Sequence, residues 1–176
     1  MGLSFALGSA CFVAGPIPGY ADLVGATADA VTFFVGSVLF TVGGAFQVWL
    51  AEGRAARWAA IIQSAGTLFF NVSTFRALHH ALASPGYDRL VWRPDAYGSI
   101  CFLVSGVIAY RTSKGWQPAV NLLGCVLFGI SAVTAYVLPS TGSEAHQEIA
   151  NWTTATGAAC FLACALDVLT QSRHPT

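Results

Sequence analysis

His79 and His80 adjoin, and His146 lies between Glu144 and Glu148; imidazoles with carboxylates are the donors a zinc-like ion takes. Adjacent histidines on a helix point about 100° apart, and neither HxxxH nor HxxE occurs, so the spacing predicts neither a metal site nor haem ligation. Cys11, Cys101, Cys125, Cys160 and Cys164 form no CxxC and are expected to pack as small apolar residues. No Ser/His/Asp, Cys/His or HExxH constellation is present. No cofactor is implied, and the reading leans away from an enzyme.

What remains is a set of polar side chains inside apolar stretches, where function is sought by default. Gln63, Asn71, Ser73, Thr74, Arg76, His79 and His80 follow one another in a single stretch, with Gln47 before it and Asn121 after it. As interhelical hydrogen-bond partners such groups contribute about 0.6 kcal/mol each, and that structural role is the first expectation. Gathered on one wet cavity, Gln47, Gln63, Asn71, Thr74, Arg76 and Asn121 would instead bind a small solute or ion on its way across a membrane. In WRPD (Trp92 to Asp95), Pro94 suits a helix start and Asp95 its first turn. An Arg76–Asp95 or Arg93–Asp95 pair is expected to close that end of the protein.

The elements that must carry these residues follow from composition. Charged residues are 9% of the chain, against roughly 25% in soluble domains, and the mean hydropathy is +0.63. A chain this short cannot bury so much apolar surface in one soluble core, so membrane lipid is the expected surrounding. No basic run suggests nucleic acid. The expected fold is all-α, a single transmembrane domain of six spans over residues 3–17, 27–51, 58–81, 95–110, 119–138 and 149–170. The first span is short and broken by Pro16 and Pro18; it is read as a crossing with a kink rather than as a cleaved signal peptide, because it lacks a basic start.

Arg54, Arg57, Arg111, Lys114 and Arg173 fall on one face of such a bundle, and Arg76, Arg89 and Arg93 on the other. The more basic face is expected to be cytoplasmic and to hold both termini. Trp49, Trp58, Trp92, Trp116 and Trp152 lie near span ends, where indole rings favour the headgroup region.

One element recurs in all six stretches. GSACF (Gly8–Phe12), GSVLF (Gly36–Phe40), GTLFF (Gly66–Phe70), GSICF (Gly98–Phe102), GCVLF (Gly124–Phe128) and GAACF (Gly157–Phe161) stand 26 to 33 residues apart. Four residues along a helix return to nearly one face, so each copy sets a glycine notch beside an aromatic knob. Small residues are what let spanning helices approach closely. Counted from the more basic face, all six rings lie roughly 14 to 21 Å deep at 1.5 Å per residue, which predicts one aromatic layer. The chain divides into three helix hairpins, each pairing two copies.

VGSVLFTVGGAF and QSAGTLFFNVSTFRAL, within about residues 32–78, resemble the YrhK-like family of small bacterial membrane proteins, whose two-helix unit carries a GS-x-LF pattern in each helix. GSICF, GCVLF and GAACF fit that pattern more loosely. The resemblance implies a bacterial inner-membrane location and supplies no activity or catalytic residues.

Two functions compete. A structural or accessory membrane component, packing with itself or with a membrane-protein partner through its Gly/Phe faces, is the leading expectation. The alternative is a small-solute or ion transporter or channel with a polar cavity between helices.

Overall fold

In the computed structural model, residues 1–80, 84, 86–138 and 140–173 are described, with no side-chain account of residues 172 and 173. Seven α-helices are formed among them: α1 Gly2–Ala14, α2 Tyr20–Val24, α3 Ala26–Leu50, α4 Arg54–Ala77, α5 Arg93–Thr112, α6 Trp116–Thr134 and α7 Gln147–Arg173. A π-helical turn, Asp88–Trp92, runs directly into α5. The fold is all-α.

Helix breaks fall where the backbone must leave the right-handed region. Gly25 (φ +88°) separates α2 from α3, and Gly53 (φ +82°) precedes α4; an L side chain is strained there. α1 ends at Ala14, and the chain turns through Gly15–Gly19 into α2. The helix expected to continue past Pro16 therefore stops before it, since proline removes a backbone donor and clashes with the preceding turn. Pro94 sits in the opening turn of α5, as its fixed φ favours.

Among the described residues, three helices are long and apolar enough to cross a membrane: Ala26–Leu50, Trp116–Thr134 and Gln147–Gln171. α1 is apolar but has only 13 residues. α4 and α5 have 24 and 20 residues and more polar sequences.

The long helices form a closed ring. Each packs against its neighbours in the order α1, α3, α4, α5, α6, α7, and α7 packs back on α1. The hairpins α1/α3, α4/α5 and α6/α7 meet glycine to glycine. A Cβ on Gly8, Gly66 or Gly124 would lie 3.0 Å from the carbonyl oxygen of Gly36, Gly98 or Gly157 respectively. No side chain fits between these backbones. The residue after each glycine (Ser9, Ser37, Thr67, Ser99, Cys125 and Ala158) is buried, so it too must be small.

Polar groups bind the ring together across helix boundaries. Asn71 Nδ2 donates to Thr41 Oγ1 (2.8 Å), Ser105 Oγ to the Ala59 carbonyl (2.8 Å), and Trp92 Nε1 to the Ala132 carbonyl (2.7 Å). The expected pairing of Asp95 with Arg76 or Arg93 does not form. Arg93 turns back to Asp88, Nη2 to Oδ2 3.0 Å, the one ion pair among the described residues. The wider π turn puts Asp88, five residues earlier, on the same side as Arg93. Of the five tryptophans, Trp49, Trp58, Trp116 and Trp152 are exposed, whereas Trp92 packs edge-on to Tyr136.

Candidate functional site

All six phenylalanines of the repeated element meet inside the ring, in one buried cluster with Cys125 and Ala158. Within this one cluster, two groups of three rings face each other. Phe40, Phe102 and Phe161, from α3, α5 and α7, form a triangle with centroid separations of 6.2, 6.0 and 5.8 Å. Phe12 and Phe70, from α1 and α4, each lie 5.9 Å from Phe128 of α6. Paired helices run in opposite directions, so the two phenylalanines of a hairpin leave the glycine level on opposite sides. Helical side chains lean toward their own N-terminus, which brings the two rings back into contact at 5.7, 5.1 and 5.3 Å in the three hairpins.

A cavity opens on each side of this septum. One, of about 310 Å³, is bounded by Phe40 and Phe161 and lined by Gln47, Gln63, Gln117, Asn121 and Ser105; we call it the amide cavity. The other, of about 650 Å³, is bounded by Phe12 and Phe128 and lined by Asp29, Asp95, Glu144, Glu148, Tyr87 and Thr154; we call it the acidic cavity.

The repeat dictates which residues face these spaces. Seven residues make almost two whole turns, so a residue seven positions from a septum phenylalanine lies on the same face about 10 Å along the helix. On one side these are Phe5, Gln47, Gln63, Ala109, Asn121 and Val168, all in the amide cavity wall. On the other they are Gly19, Phe33, Ala77, Asp95, Ala135 and Thr154, all in the acidic cavity wall. The first set takes one position from every helix of the ring; in the second, Ala135 caps α6 and Gly19 lies beyond the end of α1, at the start of α2.

In the amide cavity, Gln63 is 8% exposed. The Ser105 hydroxyl donates to the Ala59 carbonyl and has Gln63 Oε1 as a second acceptor at 3.3 Å. Gln47 Oε1 is buried without a partner among the described residues. Gln117 Nε2 donates to the Cys164 carbonyl (3.2 Å), tying α6 to α7. In the acidic cavity, Asp29 Oδ1 is also buried and unpartnered among the described residues. Glu144 arrives on the turn between α6 and α7, which folds back through Leu138 N to Ser143 O and Ala145 N to Tyr136 O bonds. Burial holds the Glu144 carboxyl above its ordinary value. The Tyr87 phenol is raised by burial first, then by Glu144 and Asp95, so it stays neutral.

Of the residues the sequence offered as a polar path, Gln47, Gln63 and Asn121 share one cavity and Thr74 lines the other. Thr74 Oγ1 also bonds Ser37 Oγ at 2.9 Å. Asn71 lines neither cavity, being held at the α3–α4 seam by Thr41. Arg76 lines neither, and its carbonyl bonds His80 Nδ1 at 3.0 Å. His79 stacks edge-on with Phe75, His146 is exposed, and no His, Cys, Asp or Glu group among the described residues has metal-binding geometry. Sequence reading missed Asp95, Thr154 and Ser105 as cavity residues. Counting seven from each repeated phenylalanine would have found the first two.

Comparison of the chain with protein-family models, curated proteins and solved structures finds no match.

Proposed function

We propose that this chain crosses a membrane six times and encloses a gated conduit for small solutes along the axis of its helix ring. The carrying observation is that two cavities, each with several polar side chains in its wall, abut opposite faces of one aromatic septum. α4 and α5 join the crossing set because their charges sit at their ends, while Leu68, Val72, Ile100 and Leu103 form an exposed apolar surface between. Asn71, Ser73, Thr74, Ser99 and Ser105 bond neighbouring elements and Gln63 faces a cavity, as spanning helices favour.

The packing role favoured by the sequence is contained in this reading: the Gly–Phe elements that lock the hairpins also supply the rings that close the path. The distribution of arginine and lysine supports placing the amide cavity and both termini on the cytoplasmic side. The likeness of residues 32–78 to the YrhK-like family supports a bacterial inner membrane.

The test is cysteine labelling in membranes, with the native cysteines replaced. Ala109→Cys and Thr154→Cys each face one cavity. The proposal predicts that a membrane-impermeant thiol reagent reaches Ala109→Cys from one side only and Thr154→Cys from the other only. Labelling of both from one side, or of neither, contradicts it.

A further inference from the structure

Resting on the conduit reading, we infer that the amide cavity is a binding site for a small uncharged solute that carries both a hydrogen-bond donor and an acceptor, a primary amide being the simplest case. No side chain lining this cavity carries a charge, and the Met1 amino group is the one basic group in its wall. A bare ion taken to the amide side chains would lose its hydration and gain no side-chain counter-charge, which is strongly unfavourable in such surroundings. A neutral polar molecule loses little if the wall replaces its water contacts.

The wall is equipped to do so. Gln63 is more than nine-tenths buried, and its amide nitrogen donates to no partner among the described residues while the side chain faces the cavity. Across the adjoining helix, Gln47 holds a buried oxygen that likewise has no partner among the described residues. A free donor on α4 and a free acceptor on α3, in the wall of one cavity, complement a molecule bearing a carbonyl and an N–H, and the unmade bond of the buried Gln47 oxygen is unfavourable enough to be filled.

The seven-residue register sharpens the class. Of the six equivalent positions two turns from the septum, Gln47, Gln63 and Asn121 are amides on α3, α4 and α6, the small Ala109 of α5 stands between the last two, and Val168 and Phe5 present apolar walls from the adjacent α7 and α1. The site therefore has a polar side and an oily side, and it suits a solute with an amide edge and a short alkyl end. A volume of about 310 Å³ accommodates a molecule of a few heavy atoms with some water.

The experiment uses the full chain in lipid vesicles and follows osmotic swelling by light scattering with acetamide, acetate or methylammonium as the probe. Wild type should admit acetamide well ahead of acetate and methylammonium, relative to protein-free vesicles. Gln63→Leu, similar in size but without donor or acceptor, should lower the acetamide rate about tenfold while water-driven shrinkage is unchanged. Should Gln63→Leu fail to fold, Gln47→Leu on the neighbouring helix carries the same expectation. Equal acetamide rates in a folded variant and wild type, or preference for either ion, overturn the site while leaving the conduit standing. No passage of any probe or of water above protein-free vesicles overturns both.

Discussion

Gly66 and Gly98 meet backbone to backbone, and each faces the aromatic ring of the other's helix. A Cβ on Gly66 would lie 2.8 Å from Phe102 Cδ2, and one on Gly98 would lie 2.8 Å from Phe70 Cε1. The same exchange joins Gly8 to Phe40 and Gly36 to Phe12, and Gly124 to Phe161 and Gly157 to Phe128. Six glycines thus position six rings, and the septum is a product of hairpin packing.

Gly66→Ala should destabilise the protein by about 1–3 kcal/mol, the usual effect of overpacking, because its new methyl also meets Cys101 Cβ and the Gly98 carbonyl at 3.0 Å. Gly129→Ala on α6 is the control, having nothing within 4 Å of its Cβ, and should be neutral or stabilising by up to about 1 kcal/mol through helix propensity. Thermal unfolding of both in detergent checks the contrast.

Asn71 separates glue from path. Asn71→Leu removes the bond to Thr41 and an oxygen unpartnered among the described residues, so stability should change by no more than about 1 kcal/mol. Solute uptake by vesicles should match wild type, because Asn71 lines neither cavity. A collapse of uptake in a folded variant would place the path at the α3–α4 seam instead.

Glu144 gives stability a pH dependence. Burial raises its folded-state pKa above the ordinary 4.5, so the folded chain holds this proton more tightly than the unfolded one. Its contribution is fully present below pH 4.5 and is lost as pH rises through the raised folded value. Glu144→Gln, which cannot ionise, should show a flatter melting-temperature profile from about pH 4 to pH 8 than wild type. Parallel profiles would mean that the carboxyl is not held in the cavity wall.

Much of this arrangement is legible in the sequence because the lipid-type pattern and the repeat are both strong. The six apolar stretches match α1 and α3–α7 to within a few residues at most ends, and the Gly-x-x-x-Phe copies mark the faces that meet. What the pattern does not reveal is how the rings stack, since that depends on side-chain tilt in antiparallel helices. Nor does it reveal that Arg93 turns to Asp88, because a π-helical step before α5 changes which carboxylate shares its face. Asn71 resembles Gln63 in type, but its register, one residue past Phe70 rather than seven before it, directs it to a seam. Function depends on that register more than on the residue types.

The most direct test opens the septum. Phe102 is 1% exposed and touches the rings of Phe40, Phe70, Phe128 and Phe161, so Phe102→Ala leaves a gap between the two cavities. Acetamide-driven swelling of vesicles containing Phe102→Ala should exceed that of wild type several-fold, while Phe69→Ala, on the outer surface beside Tyr97, should match wild type. A Phe102→Ala protein that keeps its helix content and yet admits no more solute than wild type would contradict the conduit.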